Sequence, residues 1–151
     1  MGPLGLLIKA GAIDSPYQFH WKRLLLENFP KGTGFPKLDA PQIKDELPLS
    51  TAQAFSIDDS ATTEIDDALS VQGLGTGTVV LGIPIAAPGL AVLPGSPIDQ
   101  VGRNRLSTVY MPGYKITMLP DDVVQAYTLE EGRECPALSL YVTLDETTLE
   151  I

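Results

Sequence analysis

The stretch FSIDDSATTEIDDALSV, residues 55–71, decides how the rest of the sequence is interpreted. Its two ends are apolar and β-prone, so they predict strands, and chiefly small or hydroxylated residues lie between its two acidic pairs. A loop of this kind can bring both pairs toward one point. Such a cluster is costly unless a cation neutralises it, because like charges repel. The five carboxylates of the stretch are Asp58, Asp59, Glu64, Asp66 and Asp67.

Three interpretations of this acidic segment compete. A solvated acidic turn between two strands is the plainest. A calcium loop of the EF-hand type fails, because Thr63 stands at the sixth position from Asp58, where glycine is required, and no flanking pair of helices is evident. A magnesium site for phosphoryl chemistry uses hard oxygen ligands, several carboxylates and open positions for water and substrate phosphate. The spacing favours magnesium over the solvated turn.

Outward from this segment, the sequence predicts a sheet. Short β-prone runs cover residues 55–57, 68–71, 79–86 and 138–144, and QGLGTGT, residues 72–78, predicts a hairpin loop. The glycines of this loop do not form a phosphate loop, because no Lys-Ser/Thr follows and a strand comes next. Together with the helices described next, these runs predict an α+β fold with a mixed or antiparallel sheet and flanking helices.

Two helix starts share one pattern, in which serine is the N-cap and proline takes the first helical position. Ser15 begins one helix, and Gln18 is placed to close a capping box. Ser96 begins the other, which we expect to run to about Thr108. The first helix has apolar residues at helical spacing: Tyr17, Trp21, Leu24 and Leu25.

Charge divides the chain into two parts. Residues 1–45 carry six basic and four acidic side chains, a balance of +2, whereas residues 46–151 carry four and fifteen, a balance of −11. We therefore predict a helical segment with a Pro/Gly linker at residues 1–47 and a second domain at residues 48–151. No stretch is apolar enough to be a membrane span or a secretion signal, so we expect no membrane partner and an intracellular protein. Lone Cys135 excludes an internal disulfide.

The acidic stretch resembles the opening metal-binding motif of the RNB catalytic domain, found in bacterial ribonuclease II and ribonuclease R and in the eukaryotic exosome nuclease. That motif is close to (T/S)IDxxxxxDxDDA. The likeness continues through PGSPID, residues 94–99, STVYMPGYKITMLPDDV, residues 107–123, and PALSLYVTLD, residues 136–145. Residues 11–36 also resemble the segment that precedes the catalytic domain in ribonuclease II proteins of cyanobacterial and plastid type.

The resemblance implies a 3′-to-5′ exoribonuclease that hydrolyses single-stranded RNA to nucleoside 5′-monophosphates. Such an enzyme uses one or two Mg²⁺ ions, with Mn²⁺ as a substitute, and is cytoplasmic in bacteria or organellar in plastids and mitochondria. Asp58, Asp66 and Asp67 match three carboxylates of the motif, and Glu64 takes the fourth acidic position, so these four are the expected catalytic and metal-binding residues. Tyr110 matches a tyrosine that contacts RNA.

The sequence departs from the family pattern at several places. Glu64 replaces Asp, which could change a direct metal ligand into a water-mediated one. Ala87 stands where relatives usually carry Asp, and Cys135 where many carry Arg. Ile151 is reached about one third of the way through an RNB domain. We therefore expect the isolated chain to be marginally stable, to self-associate through exposed sheet edges, and to be weak or inactive as a nuclease.

The departures also keep an alternative function open. A catalytically lapsed RNB-like protein, acting as an RNA-binding or scaffold protein, would keep the fold and use the acidic loop structurally. Glu64, Ala87 and Cys135 favour this alternative slightly. The presence of Asp58 together with the aspartate pair at 66–67 opposes it.

Overall fold

The computed structural model describes residues 2–59 and 62–151, which form two compact units that divide between Lys37 and Leu38. No helix in these described ranges is long and apolar enough to cross a membrane. The helices are α1 (Pro3–Lys9), α2 (Pro16–Asn28), a 3₁₀ turn (Pro88–Leu90), α3 (Pro97–Arg105) and α4 (Asp121–Tyr127). The strands are β1 (Ala54–Phe55), β2 (Leu69–Gln72), β3 (Thr78–Ala86), β4 (Val109–Met111), β5 (Tyr114–Ile116) and β6 (Ala137–Asp145).

The first unit contains α1 and α2. Ser15 caps α2 as predicted, because its hydroxyl oxygen accepts a hydrogen bond from the Gln18 amide at 3.3 Å. Gln18 does not close the predicted box, since its side chain reaches Asp14 instead. There its Oε1 accepts from the Asp14 amide at 3.2 Å, and its Nε2 donates to Asp14 Oδ2 at 2.7 Å. The start of the helix is therefore tied to the residue before the cap.

The second unit contains a four-stranded sheet in the order β1-β2-β3-β6, and every pairing in it is antiparallel. The fold is α+β, as predicted, and the hairpin loop between β2 and β3 is confirmed. Gly73 enters this loop with φ +81°, and a Cβ at that position would press on the carbonyl oxygen of Thr78. Leu138 and Leu140 of the outer strand β6 are exposed. Self-association through this edge stays a prediction.

Pro84 explains where β2 begins. The Ala68 amide donates to the Pro84 carbonyl at 3.0 Å, but proline has no N–H to return the bond. The ladder is therefore interrupted, and β2 starts at Leu69, one residue later than predicted. Beyond the interruption the same register resumes, because Asp67 pairs with Ile85 across an isolated bridge. The acidic segment is thus an irregular continuation of β2.

A short hairpin of β4 and β5 was not predicted as strands. Pro112 and Gly113 form its two-residue turn, and Gly113 has φ +74°, the left-handed value that the third position of a type II turn requires. The register places Tyr110 directly opposite Lys115. Residues directly opposite in an antiparallel pair lie on the same face, so the two side chains are neighbours.

The main core lies between α3 and α4. Val123 is completely buried there beside Ile98 and Tyr127, whose hydroxyl donates to the carbonyl of Pro41 at 2.7 Å. Because residues before the predicted boundary at 48 pack here, the second unit begins at residue 38; the boundary of the catalytic domain itself stays a prediction. Half-buried residues around this core are Leu38, Ala40, Ile43, Ala91, Val92, Leu119 and Ala126.

Helix α3 begins as predicted and ends earlier than predicted. The Ser96 hydroxyl accepts from the Asp99 amide at 3.2 Å. The helix stops at Arg105 instead of Thr108, because Leu106 adopts φ +66° and its amide donates to the Gly102 carbonyl at 2.8 Å. A residue with positive φ cannot continue a right-handed helix, and here a leucine adopts a value of φ that glycine accepts far more readily.

Candidate active site

An open cavity of about 670 Å³ collects every residue that the sequence predicted for the site. Three separate parts of the second unit form it: the acidic segment, strand β4 and strand β5. Asp59, which is not among the four expected catalytic and metal-binding residues, also faces the cavity. The lining residues are Asp58, Asp59, Thr62, Thr63, Glu64, Asp66, Asp67, Tyr110 and Lys115. The roles assigned to them by resemblance stay predictions.

The backbone of the acidic segment is held from two sides. On one side, the Ala86 amide of β3 donates to the Asp66 carbonyl at 2.7 Å. On the other side, buried Thr128 follows α4, and its Oγ1 accepts from the Ile65 amide at 2.7 Å. The Leu129 amide donates to the Ile65 carbonyl at 2.9 Å. The carboxylates at positions 64 and 66 therefore project from a fixed backbone.

Thr128 was missed by sequence reasoning, and it is itself held in place. The Arg133 guanidinium donates from Nη2 to the Thr128 carbonyl and to the Gln125 carbonyl, each at 2.9 Å. A threonine at the end of a short helix has no charge or motif that would have identified it. Its role arises because the fold brings it to Ile65, 63 residues away in sequence.

Asp66 is the most perturbed carboxylate of the cavity. Although Asp66 is exposed overall, partial desolvation of its carboxyl first, and then the negative charges of Glu64, Asp67 and Asp58, raise the pKa of Asp66 above its usual value. Lys115 opposes this shift and only in part offsets it. The charged form of Asp66 is therefore disfavoured here, and a cation that arrives at the cavity would favour it.

Lys115 forms an ion pair with Glu64, and sequence reasoning missed it. Its Nζ lies 2.7 Å from Glu64 Oε1, and the two side chains retain only 33% and 12% of their exposure. The Pro112-Gly113 turn was the available signal, because a two-residue turn there places Lys115 opposite Tyr110. Of the predicted carboxylates, Glu64 is thus the one with an ion-pair partner in the described part of the chain.

The donor atoms of the cavity fit a hard divalent cation by their chemistry, since all the candidate ligands are carboxylates. Asp58, Asp66 and Asp67 form no side-chain hydrogen bond or ion pair with the residues that the structure describes, whereas Glu64 is paired with Lys115. Within those described ranges, no three His, Cys, Asp or Glu side chains are arranged to hold a metal ion. The three aspartates therefore fit as ligands by type, and Glu64 fits less well.

The other two departures lie away from these groups. Ala87 is buried, and its amide donates to the Pro136 carbonyl at 3.3 Å. Cys135 is partly buried, and its thiol lies 3.6 Å from the Arg133 carbonyl oxygen and 3.8 Å from that of Glu130. Neither residue lines the cavity.

Comparison with known proteins agrees with the motif. A family model described as "RNB domain" matches residues 47–151. Exoribonuclease 2 of Serratia proteamaculans is 39% identical over 97 residues, which cover 64% of this chain. The chain spans only 15% of the length of that relative.

Two solved structures share the fold. RNase R of Mycoplasma genitalium, in complex with ribose methylated single-stranded RNA, aligns with a TM-score of 0.60 and 26% identity. That alignment covers 64% of this chain and 15% of RNase R. Yeast Ssd1, a pseudonuclease, aligns with a TM-score of 0.54 and 35% identity, over 57% of this chain and 11% of Ssd1. Both a nuclease and a pseudonuclease therefore resemble this chain.

Proposed function

The chain belongs to the RNB domain family, and we propose that it forms part of a magnesium-dependent exoribonuclease that acts on single-stranded RNA. The expected reaction is hydrolysis from the 3′ end to nucleoside 5′-monophosphates, with Mn²⁺ as a substitute for Mg²⁺. Relatives named exoribonuclease and the RNA complex of RNase R support this proposal. A chain that spans 15% of a relative's length would supply one part of the whole enzyme.

The observation that carries the proposal is the composition of the cavity. Aspartates from one segment and an aromatic ring from another face the same space, although about 40 residues separate them in sequence. A solvated acidic turn would not need Tyr110 nearby, and it would not need Thr128 to fix the backbone at Ile65. The acidic segment is therefore better explained as a site than as a turn.

Each group of side chains would contribute differently. Asp58, Asp66 and Asp67 would hold the metal, and the raised pKa of Asp66 supports this assignment because a divalent cation would offset the repulsion around it. A bound ion would polarise the scissile phosphate and make a water molecule a better nucleophile. Tyr110 is 70% exposed, so its ring would be available to stack on any base.

A lapsed RNB-like protein is the second candidate, and two observations favour it. Ssd1 is a pseudonuclease and is 35% identical to this chain where the two align. The Glu64–Lys115 ion pair occupies one of the expected ligands. The presence of Asp58, Asp66 and Asp67 in one cavity weighs more. A site with no use for a metal has no reason to hold three carboxylates that form no ion pair with the described residues.

The test is hydrolysis of a 5′-labelled single-stranded RNA in Mg²⁺, with EDTA and Asp67→Asn as controls. Circular dichroism first establishes that both proteins are folded. We expect at most a weak ladder that shortens from the 3′ end and is lost in both controls, because the chain would supply only one part of the enzyme. RNA that stays intact with folded wild-type protein, at any Mg²⁺ or Mn²⁺ concentration, would make this chain either an incomplete or a lapsed member of the family. A Mg²⁺ titration then separates the two, because a working site binds the ion through the three aspartates and a lapsed site need not.

A further inference from the structure

The β4–β5 hairpin brings a cation and an aromatic ring to the rim of the same cavity. Tyr110 and Lys115 are direct cross-strand partners, and both line the space that the aspartates face. An aromatic face binds a nucleotide base, and an ammonium group binds a phosphate as a compact point charge. One hairpin therefore presents both chemical groups that a nucleotide requires.

Lys115 is fixed in position rather than freely mobile. Its Nζ donates to Glu64 Oε1 at 2.7 Å and more weakly to Thr63 Oγ1 at 3.5 Å. A lysine ammonium has three donor hydrogens, so these two contacts leave donor capacity for a further acceptor. The side chain keeps 33% of its exposure, while that of Glu64 keeps only 12%. Glu64 is the more buried partner of the pair, and Lys115 is the partner that solvent reaches more easily.

The charge of the cavity gives Lys115 a distinct role. Among the lining residues that the structure describes, it is the cation that faces five carboxylates. A phosphodiester that enters this space meets strong repulsion, and the ammonium group is the part of the protein that can offset it. Without a bound divalent cation the offset is incomplete, so RNA binding should be measured with one present.

We propose that Lys115 is a phosphate-binding residue for single-stranded RNA, held in place by Glu64 and acting beside the stacking ring of Tyr110. This inference rests on the proposed function. It makes Glu64 an anchor for Lys115, in agreement with the 2.7 Å ion pair between the two side chains. The partner is the backbone of an RNA strand, and the contact does not depend on base sequence.

The test measures binding of a fluorescent oligouridylate to the full chain by anisotropy, in Ca²⁺ and between 50 and 200 mM salt. Ca²⁺ takes oxygen ligands as Mg²⁺ does, and a gel checks that the RNA stays intact. Each phosphate contact contributes about 0.7 to the slope of log affinity against log salt for a single strand. We therefore expect Lys115→Met to lower the slope by about 0.7 and the affinity at 0.1 M salt by about fivefold.

Three variants sharpen this result. Lys115→Arg should keep the slope, because it keeps the charge. Tyr110→Ala should lower affinity by about fivefold or more with no change of slope, because stacking releases no counterions. Lys44→Met removes one exposed positive charge outside the cavity and should change neither quantity by as much as Lys115→Met.

The outcomes separate the inference from the function on which it rests. Binding by the wild type, together with an unchanged slope and affinity for Lys115→Met, would overturn the role of Lys115 and leave the proposed function standing. Wild-type protein that binds no RNA would overturn both. If Lys115→Met does not fold, Lys115→Gln decides the question, because glutamine can still donate to Glu64 but carries no charge.

Discussion

Carboxylates lie beside the two ends of strand β3 in opposite electrostatic situations. At the Thr78 end, the backbone amides of Gly75 and Gly77 donate to Glu146 at 2.8 and 3.0 Å. These hydrogen bonds lower the pKa of Glu146. At the Ala86 end, burial and neighbouring carboxylates raise the pKa of Asp66. The pKa of the acidic group is therefore lowered at one end of β3 and raised at the other.

At the Thr78 end, Glu146 closes the β2–β3 loop, because it accepts hydrogen bonds from amides within that loop. Asp145 adds to it, because its carboxylate accepts from the amides of Thr147 and Thr148 at 2.9 and 2.8 Å, and these bonds lower its pKa. Backbone hydrogen bonds already stabilise the charged form of these carboxylates, so they need no ligand. At the Asp66 end, only Lys115 supplies positive charge from the lining residues that the structure describes. This difference distinguishes the acidic residues that stabilise the fold from those that are available to bind a ligand.

Removing one carboxylate from each end breaks this comparison most directly. We expect Mg²⁺ to raise the thermal midpoint of the wild-type chain, because a ligand that binds only the folded state stabilises it. Asp66→Asn should weaken Mg²⁺ affinity by about 100-fold, a loss of roughly 2.7 kcal/mol, since it removes an expected ligand. Asp145→Asn should keep the response to Mg²⁺.

Calorimetric titration with Mg²⁺ measures these affinities, and differential scanning fluorimetry follows the midpoints. In EDTA, the Asp66→Asn chain should be at least as stable as the wild type, because the repulsion is reduced. Equal weakening of Mg²⁺ binding in both variants would show that the two ends do not differ as proposed.

Strand β3 must pass through a crowded point between the two ends. Gly82 pairs with both Ser70 and Tyr141, and an added Cβ would collide with Ser70 Oγ and lie 2.9 Å from the Tyr141 ring. We expect Gly82→Ala to lower the free energy of unfolding by about 1–3 kcal/mol, the usual cost of overpacking. Urea denaturation measures it, with Gly89→Ala as the control.

Gly89 is a suitable control because nothing lies within 4 Å of the position that its Cβ would take. Its substitution should change stability by less than about 1 kcal/mol. A similar loss for both variants would mean that contact with Ser70 and Tyr141 is not the cause.

The hydrogen bond between Thr128, just after α4, and the Ile65 amide is expected to contribute somewhat less to stability. Thr128→Val keeps the shape of the side chain but leaves the Ile65 amide without its acceptor, at a cost of about 1–2 kcal/mol in unfolding free energy. Thr128→Ser keeps the oxygen and should recover most of this loss. Hydrogen exchange at the Ile65 amide distinguishes a local effect from a global one, since only loss of the contact accelerates that amide selectively.

Much of this architecture could be predicted from sequence. The alternation of β-prone runs and the glycine-rich loop located the β2–β3 hairpin, and serine followed by proline located both helix starts. The predicted end of α3 was less accurate. Leu106 adopts a left-handed conformation that its residue type disfavours, so no pattern could indicate that α3 stops at Arg105.

The site was predictable where local spacing defines it and not where distant contacts do. The acidic residues lie within one segment, so their clustering was visible in the sequence. Lys115 and Thr128 reach that segment from 51 and 63 residues away, through a hairpin and a helix end that neither charge nor periodicity placed there. Their identification required the fold.

The smallest expected effect concerns acidity, and its sign differs between the two ends of β3. The pKa of Glu146 is lower in the folded chain than in the unfolded one, so its contribution to stability is present above about pH 4 and is lost as the pH falls through the folded value. The pKa of Asp66 is raised, so its charge opposes folding at neutral pH and the opposition fades on acidification. Urea titrations from pH 3 to 7 in EDTA measure both contributions to the free energy of unfolding. Glu146→Gln should therefore lose less stability than the wild type as the pH approaches 3. Asp66→Asn should gain less stability than the wild type as the pH first falls from 7, because it lacks the charge that opposes folding. If both variants changed the pH dependence of the unfolding free energy in the same direction, the two carboxylates would be in the same electrostatic situation. The contrast between the two ends of β3 would then have no effect on stability.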